Sequence, residues 1–78
     1  MKWFIVALVT FVSGEQDIKY HERLSFDSYV VCDSFYRENS RSLLSGLKRI
    51  YPDVKSATIQ CLDTKTMFAM KRALTNED

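Results

Sequence analysis

His21, the single histidine of this chain, stands next to Glu22. An imidazole titrating near neutrality beside a carboxylate is raw material for general acid–base catalysis. The segment that carries them, Ile18 to Phe26, alternates apolar and polar residues as a half-buried strand does. Neighbours on a strand point to opposite faces, so His21 and Glu22 cannot work on one atom. Cys32 paired with His21 would make a thiolate–imidazole nucleophile. Cys32, however, falls on the apolar arc of a predicted helix, where a thiol is a small inert apolar group. HExxH, a glycine-rich phosphate loop and a serine elbow are all missing from the sequence. Asp27, Asp33, Asp53 and Asp63 fall at caps, turns and solvent-facing positions. The expectation is a protein that is not an enzyme, with no cofactor and no metal.

The two cysteines, Cys32 and Cys61, are too few for a disulfide scaffold and lack metal-ligand spacing. In an exported chain they pair with each other; in a cytosolic chain they stay as buried thiols. Both alternatives stand at the level of sequence.

The elements that must position these residues follow from periodicity. Trp3 to Val12 is an almost unbroken apolar run behind Lys2. It fits the core of a secretory signal cut after Gly14, and it fits a strand buried on both faces. It is too short to span a membrane, which takes roughly 20 apolar residues. The strand reading is favoured because a hairpin with Gly14-Glu15 at its tip places Phe11, Val9, Ile5 and Trp3 opposite Ile18, Tyr20, Leu24 and Phe26. Asp27 can cap a helix running to Tyr51-Pro52, on which Cys32, Phe35, Tyr36, Leu43, Leu47 and Ile50 share an arc of about 120°. Asn39 and Gly46 are the non-apolar members of that arc. Lys55 to Cys61 alternates again and predicts a third strand. Asp63 or Thr64 can cap a short last helix carrying Met67, Phe68, Met70 and Leu74, with a frayed tail after Thr75. The fold class is α+β, order ββαβα: a small three-stranded sheet, made of an N-terminal hairpin plus one strand, with a long helix and a short C-terminal helix packed on one face.

Two surfaces then offer binding. With helices covering Trp3, Ile5, Val9 and Phe11, the residues Phe4, Val6 and Leu8 point the other way, beside Lys19, His21 and Arg23. An open apolar patch of that kind is an interface for a protein partner or a second copy, unless the last helix or a loop packs there, which is the equal alternative. On the long helix, Arg37, Arg41 and Lys48 lie within about 40° of one another and could meet an anionic partner. Against nucleic acid stands the formal net charge of +1, although residues 37 to 72 alone carry +5 and residues 1 to 36 carry −2. The aromatic residues that might stack on bases are absorbed by the core. Nucleic acid is therefore the weakest of the partner readings.

Seventy-eight residues with 46% apolar and 27% charged content allow a single domain, residues 1–78, with a core near the lower size limit for independent stability. The opening Met1-Lys2-Trp3-Phe4-Ile5-Val6, the hairpin, the Phe26 to Cys32 helix entry and the late Ile59-Gln60-Cys61-Leu62 together resemble short uncharacterised proteins of marine bacteriophages and their bacterial hosts. The resemblance covers most of the chain as a layout and contains no specific motif. It implies a small accessory protein that binds a host or virion protein, located in the cytoplasm of the infected host. The alternative is a secreted, disulfide-linked protein that has lost residues 1–14.

Overall fold

An apolar run without alternation marks a strand covered on both faces, and Trp3–Phe11 forms such a strand, β1. The computed structural model describes residues 1 to 75; the tail expected to fray after Thr75 otherwise lies outside the described residues. Gln16–Phe26 forms β2, Tyr29–Ile50 forms α1, Val54–Asp63 forms β3 and Thr64–Thr75 forms α2. The three strands make one sheet in the order β2-β1-β3, with β1 antiparallel to both neighbours. The chain is therefore α+β in the order ββαβα. Because β1 is the strand to which both others bond, removal of residues 1–14 would leave β2 and β3 without their shared partner.

The hairpin differs from the expected one in a way that reorganises the sheet. Gly14 donates to the Phe11 carbonyl (2.9 Å) and Phe11 donates to the Glu15 carbonyl (2.8 Å), so the loop is Val12-Ser13-Gly14. Gly14 takes φ of +94°, which a side chain would resist. Moving the tip back from Gly14-Glu15 sets Leu8 opposite Ile18 and Val6 opposite Tyr20, in place of Phe11–Ile18 and Val9–Tyr20. At the other end Trp3 still meets Phe26, as expected, because β2 bulges between Tyr20 and Ser25 and takes up the difference. The bulge also switches faces. Ile18 and Tyr20 lie on one side of the sheet, Leu24 and Phe26 on the other, where a regular strand would have kept all four together.

Each face of the sheet consequently has its own helix. The helices do not share one face as the sequence reading expected. On the first face α1 packs over β1 and chiefly over β3. Val9 and Cys32 are fully buried there, Trp3 meets Tyr29 edge-on at 5.4 Å, and Phe26 meets Phe35 at 5.3 Å. A disulfide joins Cys32 on α1 to Cys61 on β3. On the second face Met67 of α2 is buried against Val6 and Ile18, with Phe4, Leu8, Tyr20, Leu62, Met70 and Leu74 packed around them. Phe68 is about half exposed, because Met67, Met70 and Leu74 take the inward positions on the short helix.

Helix boundaries follow capping chemistry. Ser28, not Asp27, caps α1: its backbone is extended and its hydroxyl accepts the Val31 N–H at 3.2 Å. Asp27 instead pairs with Lys2 at 2.9 Å. The helix runs unbroken through the polar stretch 37–42, and Asn39 on its apolar arc donates to the Phe35 carbonyl. It ends where Tyr51 donates to Leu47 and Pro52 follows. Asp63 caps α2 by accepting the Thr66 N–H at 2.6 Å, and that bond holds its carboxyl below the usual range.

Candidate functional site

The surface expected to bind a partner is divided by the fold. Val6 is 1% exposed beneath α2, and Phe4 and Leu8 pack around it, so this face of the sheet is closed by the last helix. Those three residues belong to the core. Lys19, His21 and Arg23 are separated from them. The bulge carries His21, Glu22 and Arg23 out of the ladder, and His21 Nδ1 accepts the Arg23 N–H at 3.2 Å.

What the fold does create is a cleft of about 360 Å³ between the C-terminal half of α1 and the β1–β2 side of the sheet. Ile5, Ala7 and Ile59 make its floor, and Leu43, Leu47 and Ile50 make the helical wall. Lys19, Tyr20, His21 and Leu24 line the opposite side. Two positions explain why the space is open. Ala7 puts a methyl on the middle strand, where a β-branched residue would pack better. Gly46 lies in the middle of α1, and a Cβ built on it would meet nothing within 4 Å. Glycine there costs the helix roughly 1 kcal/mol relative to alanine, and neither its backbone nor a close neighbour requires it. The Cys32–Cys61 bond ties the first turns of α1 to β3, leaving the far half of the helix standing over the gap. Ile50, expected in the core arc, is 69% exposed at the mouth.

The rim is polar and held in place. Lys19 reaches the Asp17 carboxylate at 2.9 Å, and its ammonium sits 4.8 Å from the centre of the Tyr51 ring. Asp17 also accepts the Ile18 N–H at 2.7 Å. The hydrogen bond from Lys19 holds the Asp17 carboxyl below its ordinary range, and the same bond raises the Lys19 pKa. Asp17 therefore stabilises the fold above the unfolded carboxylate pKa of about 3.9, and loses that contribution as pH falls through its lower folded value. Lys19 contributes below about pH 10.4 and loses its share as pH rises through its higher folded value. We expect Asp17→Asn to melt below the wild-type protein at pH 5, and the gap between their melting temperatures to close as the pH falls through the folded value of Asp17. A gap that stays constant across that range would show that the pair does not titrate as described.

Of the basic stripe, Arg37 is tied to Asp33 one turn earlier at 2.8 Å, which raises the Arg37 pKa. Arg41 and Lys48 remain exposed on the same side of α1. Arg41 lines a second, smaller groove beside β3. Among the described residues no group of three or more His, Cys, Asp or Glu is placed to hold a metal ion, and no helix is long and apolar enough to cross a membrane. Sequence reasoning identified Lys19 and His21 at the rim but missed Ala7, Gly46 and Ile50 as cleft residues. The available signal was a pair of poor formers, alanine inside a strand and glycine inside a helix.

No protein-family model, curated protein or solved structure matches the chain. The functional reading therefore rests on the geometry of the molecule.

Proposed function

We propose that this chain is a non-enzymatic protein-binding module that takes apolar side chains of a protein partner into the α1–β2 cleft. The observation that carries this reading is the cleft itself, apolar in its floor and wall and held open at Gly46. An apolar centre with tyrosine, lysine and histidine at its edge has the make-up of a protein interface. At about 360 Å³ the space is near the lower end for a dedicated small-molecule site. The resemblance to bacteriophage proteins supports a partner from a host cell or a virion. A second copy of the chain is the other protein that could seat there.

Gly46 supplies the test, since stability and binding should respond to it differently. Gly46→Ala should stabilise the fold by about 0.5–1 kcal/mol through helix propensity, as measured by urea unfolding. Gly46→Leu should keep the fold, fill the cleft and weaken partner binding by at least about tenfold. The readout is recovery of a protein from the native source on immobilised wild-type chain, or self-association by sedimentation. Val30→Ser, on an exposed part of α1 outside the cleft, should bind as wild type does. A partner held equally well by the Gly46→Leu protein would overturn the cleft as its site.

The Cys32–Cys61 bond supports a second reading, of a module working in an oxidising compartment with β1 retained. Thiol counting on protein from its native source separates this from a cytoplasmic module. Two free thiols point to the cytoplasm, none to an oxidising compartment.

A further inference from the structure

The two edges of the sheet are built differently. The β2 edge carries Asp17, Lys19, Glu22 and Arg23 and the bulge, and these devices discourage another strand from pairing there. The β3 edge has none of them through its middle. From Ser56 to Leu62 it bears no charge, proline or glycine; nine of the ten β3 residues pair with β1, on one side only, and Lys55 is left out by a register shift near the strand's start. Unpaired N–H and C=O groups along such an edge are a template for one more strand.

Alongside this edge runs a groove of about 270 Å³ between α1 and β3, lined by Tyr36, Ser40, Arg41, Leu44, Ala57 and Ile59. An added strand would direct every second side chain into it, at intervals of about 7 Å. One such side chain would meet the apolar surface of Tyr36, Leu44 and Ile59. The next in line comes toward Arg41, which has no acidic partner among the described residues. Lys55 stands exposed at the start of β3, and Lys48 lies one face with Arg41 on α1. The charged residues of α1 and β3 themselves, Arg37, Arg41, Lys48, Arg49 and Lys55 against Asp33, Glu38 and Asp63, sum to +2, so this side is mildly basic. A second copy would set its own Arg41 and Lys55 against the same field, so the charge pattern favours an acidic partner over self-pairing.

We propose that the outer edge of β3 is a strand-addition site for an extended acidic segment of a protein partner, anchored by backbone pairing to β3 and by carboxylates facing Arg41 and Lys55. The site shares Ile59 with the α1–β2 cleft and no other lining residue, and either can fail without the other.

The test uses the full chain and a synthetic peptide of about nine residues alternating glutamate and valine, matched by a peptide with lysine in place of glutamate. Titration of the glutamate peptide should shift the backbone amide resonances of Ser56 to Gln60 and slow their hydrogen exchange. Arg41→Glu should weaken binding about tenfold, added salt should weaken it further, and Val30→Ser, which lines neither the groove nor the cleft, should leave it unchanged. Arg41 is exposed, so its replacement leaves the core untouched, and a native circular dichroism spectrum checks this. Three results would overturn the proposal: no shifts on β3 at saturating peptide, equal affinity for the lysine peptide, or protection of the β3 amides by self-association in the absence of any peptide.

Discussion

Glutamate in place of Val6 is expected to unfold the protein. Val6 is 1% exposed in the layer between the sheet and α2, against Ile18 and Met67. Burial of a valine side chain contributes about 1.5–3 kcal/mol, and placing an unpaired carboxylate there costs several kcal/mol more. At 0.05–0.15 kcal/mol per residue the whole stability of a 78-residue chain is roughly 4–12 kcal/mol. The substitution therefore consumes most or all of it. Far-UV circular dichroism and amide dispersion should show an unfolded chain at neutral pH. Val12→Glu is the control, since Val12 is 72% exposed in the hairpin loop and should be tolerated. A Val6→Glu protein that unfolds cooperatively near the wild-type midpoint would mean that α2 leaves the sheet readily. The face of Phe4, Val6 and Leu8 would then regain its claim as a binding surface.

Removal of the disulfide should have the next largest effect. Cys32 and Cys61 are separated by 29 positions, and closing a loop of that length reduces the entropy of the unfolded chain by an amount worth about 3.5 kcal/mol at 25 °C. Cys32 is also completely buried, so replacement of both residues by alanine leaves a small void beneath α1. For a domain of this size each kcal/mol moves the melting temperature by about 4–8 °C. The double alanine variant should thus melt roughly 15–25 °C below the oxidised protein. Wild-type protein held in reductant should behave similarly. A difference of only a few degrees would show that packing of α1 on the sheet holds without the bond. The cleft is the more sensitive readout, because the bond sets which end of α1 is pinned.

Local signals made most of the elements legible. The 3.6-residue phase from Cys32 to Leu47 predicted one helix across the polar stretch 37–42, and one helix forms. The alternation of Lys55 to Cys61 predicted β3, and the apolar run at the start predicted a strand. Less visible was the turn. Gly14 suits the first central position of a two-residue loop as well as the closing position of a three-residue one. That choice shifts the ladder beyond it, and only the bulge at His21 to Leu24 restores the pairing of Trp3 with Phe26. Since side chains alternate with a period of two, a local irregularity in β2 sent Ile18 and Tyr20 to one helix and Leu24 and Phe26 to the other.

The candidate site was legible only at its rim for the same reason. Lys19 and His21 stood out as polar residues on a strand, whereas the cleft is a space, made by what Ala7 and Gly46 lack. Composition and periodicity, which are local properties of the chain, determined its class, its five elements and their order. Tertiary structure decided that α2 crosses to the opposite face and seals Val6, that β1 is the central strand, and that β3 is left with a free edge. These depend on register and on competition between faces for a limited apolar surface, which are settled by contacts between residues far apart in the chain.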